Sequence, residues 1–588
     1  MNILGISAFY HESSCCLLRD GRLVAAASEE RFTRVKHDPR LPVEAFRFCL
    51  EHEGLDLLDL DAIAYYELPE LKHERQLASG MQASALGPNA PERAIRERLG
   101  WEGEILFFPH HLCHAASAFY WSGFERAATL TVDGVGEWAT TTYGQGEAGD
   151  LSLFAEVRFP HSLGLFYSTV TAYLGFAVND GEYKVMGLAP YGEPRLVDRL
   201  AKAIRVEPGA SFTLDLKYFD FVGGTRMWSD AFEQLLGGPP RRRGEEILPF
   251  HRDLARSAQV LLEEILLEKA RWLHDETGED DLCMAGGVAL NCVADGRILR
   301  EGPFRRLFVQ PAAGDSGGCL GAAALAHAKL GGTPIGRRAL HRVDLGPSFS
   351  HSEIAAIITG AGLAATDYSG REAELLDAVA ERLAQHQIVG WFDGRMEHGP
   401  RALGNRSILA NPLDLGVRER LNRRVKKREA FRPFAPAVLA GQAAEHFELD
   451  HPSPFMLETC AVRSPLALPG ITHVDGSARP QTVDPQDHPR FAALLEAFFR
   501  RTGCPILVNT SFNVAGEPIV ATPVDALLSA ADATLDALVL GDFLIDGRDL
   551  PEVWRTLLPA WRERRRSGFA TDSSGSTSAI SEELYTFV

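Results

Sequence analysis

Ala128-Thr129-Leu130-Thr131-Val132-Asp133-Gly134-Val135-Gly136 is a short apolar, β-branched run that stops in an acidic residue and two glycines. Such residues suit a buried strand, and the Asp-Gly step marks the turn that ends it. A second run, Leu282 to Ala285, stops in Gly286-Gly287. Near the start, Ile3 to Ser7 and Ser14 to Leu18 are apolar, Asp20-Gly21 is a hairpin signal, and Leu23 to Ala27 follows as a third strand. Between these runs lie stretches such as Asp253 to His274, where apolar positions recur every three or four residues as on a helix. Strands that end in glycine turns ahead of helices predict an α/β domain with a ligand cleft at the strand ends.

Beyond that domain the pattern loosens from Gly331 to Ser350 into Gly, Pro and Arg, which predicts a linker. A second strand-and-helix region follows, with apolar runs at Ile388 to Phe392, Pro505 to Val508 and Ala537 to Leu540. The expected domains are therefore 1–335 and 350–566. Residues 567–588, rich in Ser, Thr and Gly, are expected to be a disordered tail. No repeat of fixed period stands out. A chain of 588 residues needs more than one core.

Acidic residues outnumber Lys plus Arg by 79 to 60, a net charge of −19 that disfavours a nucleic-acid partner. The basic clusters Arg241 to Arg243 and Arg562 to Arg566 are expected to be solvated surface. No CxxC pair occurs, and Cys15, Cys16, Cys283, Cys292 and Cys319 sit among small apolar residues, as buried reduced thiols do. No apolar run approaches the roughly 20 residues that span a bilayer, and a charged leader is lacking. A cytoplasmic protein without a membrane partner is expected.

Two groups of residues suggest chemistry. His110 and His114 lie four apart in a helix-like segment that runs to Phe119, so their rings share one face. Asp133 ends a strand, and Asp315 sits in Ala313-Gly314-Asp315-Ser316-Gly317-Gly318. Two imidazoles and two carboxylates suit a divalent ion such as Fe²⁺, Mn²⁺ or Zn²⁺. His111 points elsewhere, and Cys113 belongs to the core. The second group is the set of strand-to-turn glycines at Gly5, Gly134, Gly136, Gly286 and Gly287, with Asn291 after them. Lacking Cβ atoms, they let backbone N–H groups approach a nucleotide, and Lys184 in Gly181 to Leu188 can reach a phosphate. This order looks like the ATPase domain of sugar kinases and actin-type chaperones.

Here the residues resemble a family. The helix His110 to Phe119, the Gly286 to Asn291 turn and the Asp315 segment resemble the TsaD-like fold of tRNA threonylcarbamoyl transferases. The remaining motifs resemble the O-carbamoyltransferases of antibiotic and nodulation-factor pathways, of NodU/CmcH type. Those motifs are Tyr10 to Ser13, Glu29 to Arg34, Gly399 to Ser407, Lys427 to Pro436, Ile471 to Gly476 and Asn509 to Asn513. The resemblance runs to about Asp549 and implies an actin-like ATPase (TsaD-like) domain followed by a YrdC-like α/β domain.

What the resemblance implies is a two-step reaction. The YrdC-like half is expected to make carbamoyl adenylate and pyrophosphate from carbamoyl phosphate and ATP, with Mg²⁺. The metal-bearing half passes the carbamoyl group to a small-molecule hydroxyl and releases AMP. Residue by residue, His110, His114, Asp133 and Asp315 fall on the metal ligands, with Fe²⁺ the first choice. Arg401, Lys426, Arg432, Arg479 and Ser511 fall on the ATP and carbamoyl phosphate positions, and His11 on the catalytic histidine, as general base or as a group that positions the acceptor. Among Arg406, Arg428 and Arg432, at least one is expected to be a structural ion-pair partner.

The chain departs from the family at Glu12, Cys15-Cys16, His398 and Pro480, none of them a proposed ligand. Alternative readings are a tRNA threonylcarbamoyl-type transferase, a sugar kinase of the actin-like class and a non-catalytic nucleotide-binding regulator. The acceptor and the oligomeric state stay open; Leu68 to Glu92 and Gly223 to Gly244 are expected acceptor loops.

Overall fold

The computed structural model describes residues 1–80, 87–332, 335 and 339–570. The described chain divides into two compact units, one built from Met1–Glu29 and Pro39–Leu340, the other from Glu30–Asp38 and the described residues from His341 to 570.

The first unit contains two five-stranded sheets of matching topology. In one, Arg22–Ser28, Ser14–Arg19 and Asn2–Ser7 form an antiparallel meander that Ala62–Tyr65 and Ile105–Phe107 extend in parallel. In the other, Asp150–Arg158, Ala139–Glu147 and Arg126–Val132 repeat the meander, and Asp281–Ala285 and Arg306–Val309 extend it. The duplication is the plan of an actin-like ATPase, as expected, yet it leaves no repeat in the sequence because only the strand order recurs. The first hairpin turns at Asp20 and Gly21, both with positive φ, as a tight two-residue loop requires.

Helix His110–Phe119 packs against helix Gly318–Lys329, which in turn packs against the strand Asn2–Ser7. Their contact depends on missing side chains. A Cβ on Gly321 would lie 1.8 Å from the Cys113 carbonyl oxygen, and one on Gly5 would lie 2.0 Å from that of Cys319. Gly5 thus admits a helix rather than a nucleotide.

The second unit is α/β around one mixed eight-stranded sheet. Its strands run in the order Thr366–Asp367, Phe543–Asp546, Ala537–Leu540, Val389–Phe392, Arg406–Ala410, Ile506–Ser511, Ala435–Leu439 and Gln481–Val483. The short segment Glu30–Asp38 belongs here. Arg31 donates to the Gly399 carbonyl at 2.9 Å, and Arg34 to those of Pro518 and Ile519 at 2.8 and 2.6 Å. A single boundary near residue 340 misses this segment, because its contacts lie hundreds of residues away.

Other expectations meet the structure unevenly. The last helix, Glu552–Ala570, carries residues 567–570 of the expected tail, and 571–588 lie outside the described residues. The two expected acceptor loops contain helices Pro69–Ala78 and Asp230–Leu236; residues 81–86 lie outside the described ones. Arg241 is not solvated surface. It is buried, donates to the Leu174 and Glu245 carbonyls, and lies over the Phe176 ring. The side chains of 562–566 lie outside the described residues. All nine cysteines are buried and free. No helix among the described residues is long and apolar enough to cross a membrane.

Gly321→Ala is expected to cost about 1–3 kcal/mol, because two helix backbones must separate. Calorimetric melting should show a lowered transition, and less bound metal, since the displaced helix carries His110 and His114.

Candidate functional site

Helix His110–Phe119 places His110 and His114 one turn apart, with their Nε2 atoms 3.0 Å from each other. Strand Arg126–Val132 ends directly before Asp133, and Asp315 opens the turn into Gly318–Lys329. Asp133 Oδ2 lies 3.2 Å from His110 Nε2 and 3.5 Å from His114 Nε2. Asp315 Oδ1 lies 3.6 Å from both. One donor atom from each of the four side chains falls within 4.8 Å of the others, and all four residues are buried. Donors bound at about 2.0–2.2 Å to one ion stand roughly 3–4 Å apart, so the set fits a divalent cation. Asp315 Oδ2 is buried without a hydrogen-bond partner, a further oxygen turned to no protein group.

The electrostatics agree. Burial works against the His114 imidazolium, yet the Asp133 and Asp315 carboxylates outweigh it and hold the ring up at about 9. Burial works to raise the Asp133 carboxyl, but hydrogen bonds and charge from the two histidines hold it well below its ordinary range. The cluster demands positive charge.

Neighbours fix these four side chains. Gly287 N–H donates to Asp133 Oδ1 at 2.8 Å, and a Cβ there would crowd that oxygen at 2.9 Å. Gly286 has φ of 93°, and its missing Cβ leaves room for the Val132 carbonyl. A Cβ on Gly136 would press on the His110 ring at 2.9 Å. These glycines, expected around a nucleotide, build the ligand cradle; Gly134, whose Cβ would meet only the Tyr10 hydroxyl at 3.8 Å, stays open. The side chain of Asn291 is occupied, capping helix Cys292–Glu301 and exchanging hydrogen bonds with Gln259. Lys184 lies on helix Glu182–Leu188 with its Nζ near the Phe176 ring. His111 bonds Thr131 at 2.6 Å and stays out of the cluster, and Cys113 is core.

His11 is half-buried, with Nδ1 3.9 Å from Glu12. It also opposes the rise that burial imposes on the Glu182 carboxyl.

In the second unit, Lys426 and Ser511 meet. Lys426 Nζ donates to Ser511 Oγ at 3.1 Å and to the Ser511 carbonyl. It also donates to Asn513 Oδ1 at 2.8 Å and to the Asn513 carbonyl at 3.2 Å. Burial drives the ammonium well below its ordinary pKa, and Arg428 and Arg432 push the same way. Arg432 lies 3.7 Å from Glu429. The segments bearing the other arginines are laced together. Asn509 donates to the Ala402 carbonyl at 3.2 Å and to Gln481 at 2.9 Å, and Gln481 to the Leu403 carbonyl at 2.7 Å. That network ties the backbones beside Arg401, Arg479 and Ser511. Arg479 is half-buried. Arg406 is structural through carbonyls: it is buried, stacked on Phe392, and bonded to the carbonyls of Asp393, Gly394, Asn405 and Pro347, while Arg432 pairs with Glu429 and Arg428 bonds Asn422 and stacks on Phe434.

Sequence comparison adds what geometry alone does not name. The family described as Carbamoyltransferase N-terminus matches residues 2–90 and 95–324, and Carbamoyltransferase C-terminus matches 380–547. The chain belongs to the carbamoyltransferase family. It is 39% identical to Nodulation protein NolNO of Sinorhizobium fredii, over 94% of this chain and 81% of that protein. It is 43% identical to an uncharacterised protein of Synechocystis sp., over 92% of this chain and 96% of that one. The 3'-hydroxymethylcephem-O-carbamoyltransferase of Amycolatopsis lactamdurans is 36% identical over 48% of this chain and 53% of its own length.

Sequence reasoning about this carbamoyltransferase missed three residues. Glu137 accepts from the His110 and Leu68 N–H groups at 2.9 and 2.8 Å and so sets the start of the ligand helix; it stands four residues after Asp133, where an acid was legible. Glu182 sits two residues before Lys184, half-buried, and accepts from the Ser168 hydroxyl at 2.7 Å. Asn513 ends a motif that was recognised for Ser511 alone.

Bound metal in this carbamoyltransferase is expected at one equivalent and near zero in Asp315→Asn, by elemental analysis. Because the His114 proton must leave before a metal can bind, apparent affinity for Mn²⁺ or Zn²⁺ should rise with pH and level off above about 9.

Proposed function

We propose that this carbamoyltransferase makes carbamoyl adenylate in its second unit and transfers the carbamoyl group in its first to a hydroxyl of a sugar or secondary metabolite, in the cytoplasm. Carbamoyl phosphate, MgATP and water would give carbamoyl adenylate, pyrophosphate and phosphate. The reading is carried by one observation, the buried Lys426 ammonium held by uncharged oxygens alone, which leaves its charge for an anion.

In the second unit, Arg401, Lys426, Arg432 and Arg479 would neutralise the two anionic substrates, and Ser511 would donate to a phosphate oxygen. In the first unit, the acceptor oxygen attacks the carbamoyl carbon, the bond from that carbon to the adenylate oxygen breaks, and AMP leaves. His11 takes the hydroxyl proton or holds the acceptor in line. A divalent ion on His110, His114, Asp133 and Asp315 would supply Lewis-acid polarisation of the carbamoyl carbonyl or the phosphate. The net charge of −19 favours a small acceptor over a tRNA.

Pyrophosphate release that requires both ATP and carbamoyl phosphate tests the first step; γ-phosphate label on an acceptor would instead assign a kinase. With an acceptor found by screening hydroxylated sugars, His11→Asn should keep pyrophosphate release and lower transfer by about 10²–10⁴-fold in kcat. A rise in acceptor KM alone would assign His11 to positioning.

A further inference from the structure

Arg75 lies on helix Pro69–Ala78, inside the first of the two expected acceptor loops, and is fully buried. Its Nε and Nη1 have no hydrogen-bond partner, and the guanidinium makes no ion pair among the described residues. A cation buried in this way is costly, because its charge and its donors leave water without replacement. The acids nearby are already engaged. Glu67 accepts from Lys72 Nζ at 2.8 and 2.9 Å and from the Tyr65 hydroxyl at 3.3 Å. Glu137 accepts from the Leu68 and His110 N–H groups at 2.8 and 2.9 Å. Both act on Arg75 only from beyond contact, and its nearest aromatic neighbour, the Phe159 ring, lies 5.7 Å from the guanidinium carbon.

The unpaired cation stands beside the four-donor cluster. Burial pushes the Tyr10 hydroxyl above its ordinary range, Arg75 draws it back, and Asp315 and Asp133 of the cluster push it up again. Tyr10 thus stays a neutral phenol and gives the arginine no counter-charge. Its hydroxyl lies 3.8 Å from where a Cβ on Gly134 would stand, and His11 follows it directly in the chain. Tyr66 adds a second unpaired group: its hydroxyl is buried without a partner, and its ring lies 5.2 Å from that of His110.

We propose that Arg75, with the Tyr66 hydroxyl, receives an anionic group of the acceptor, so that this carbamoyltransferase prefers hydroxyl compounds that also carry a carboxylate, such as sugar acids, over neutral or cationic ones. This rests on the reading that the first unit transfers the carbamoyl group to an acceptor hydroxyl. A planar guanidinium fork matches a carboxylate, which supplies both the missing acceptors and the missing charge. The donor's phosphate and carbonyl already have a partner in that reading, the divalent ion, so the arginine is left for the acceptor.

The test uses the full-length, metal-loaded protein with MgATP and carbamoyl phosphate. The acceptors are glucuronate and galacturonate, each paired with its neutral sugar and its amino sugar. The acids should be carbamoylated with kcat/KM higher by about 10–10²-fold than their partners, and Arg75→Met should remove that preference through a raised acid KM. Arg75→Lys keeps the charge and should keep part of it. Arg75→Met should also melt no lower than the wild type, because no hydrogen bond or ion pair of the fold is lost. Preference for neutral or amino sugars would overturn the proposal, as would failure of every acid both to bind and to react. So would a fall in kcat of Arg75→Met that is equal for acids and neutral sugars, which would assign the arginine to the donor phosphate. A lower melting transition in Arg75→Met with the acid preference intact would overturn it too, in favour of a bracing role. Calorimetric binding of the acids that Arg75→Met loses, without pyrophosphate release in any mixture, would retain the anion site and reject the reading of the function instead.

Discussion

Two carboxylates buried within reach of one another are unstable unless something positive stands between them. Asp133 and Asp315 are such a pair, and much of the first unit serves to hold them with His110 and His114 at 3.2 to 3.6 Å. One carboxylate arrives from a strand end and the other from a helix start, so both sheets and both central helices must be in register before the cluster exists. The bare glycines follow from that demand. Gly5 and Gly321 bring the helices in, while Gly136, Gly286 and Gly287 clear the space beside the ligands.

The second unit solves the opposite problem. Its proposed site gathers cations: Lys426, Arg428 and Arg432 repel one another, the lysine's own contacts are neutral oxygens, and Glu429 stands 3.7 Å from Arg432. The two units therefore present complementary vacancies in charge. On the proposed function, one would take a resident cation and the other a transient anion. Membership in the carbamoyltransferase family makes sense of the pair, because carbamoyl transfer needs an activated anionic donor and an electrophile made more reactive.

Much of this was legible in the residues, for physical reasons that differ by place. The hairpin at Asp20-Gly21 and the helix His110 to Phe119 were readable because turn chemistry and helical spacing are local. The cluster of His110, His114, Asp133 and Asp315 was readable because four donors of matching chemistry stood at element ends. What failed was whatever depends on packing. Arg241 looked like surface from its Arg neighbours, yet carbonyls of Leu174 and Glu245 and the Phe176 ring draw it inward. For the glycines, a missing Cβ does not say which atom fills the gap, and beside Gly136, Gly286 and Gly287 those atoms belong to His110, Val132 and Asp133. The doubled sheet left no repeat because topology can be duplicated while sequence diverges. Asn513 was invisible as a partner of Lys426, since the two stand 87 positions apart.

The overall charge sharpens this picture. At −19 the protein repels anions at long range, so the proposed substrates, carbamoyl phosphate and ATP, would gain nothing from steering by the protein as a whole. Salt screens that repulsion beyond about 8–10 Å, whereas a buried charge acts at contact, where screening is weak. Recognition must then come from short-range, desolvated cations in fixed orientation. A caged lysine and forked guanidinium groups supply that, and mobile surface lysines do not. An acidic protein can bind acidic substrates because selectivity sits in buried geometry, with the exterior field left free to disfavour larger polyanions such as nucleic acid.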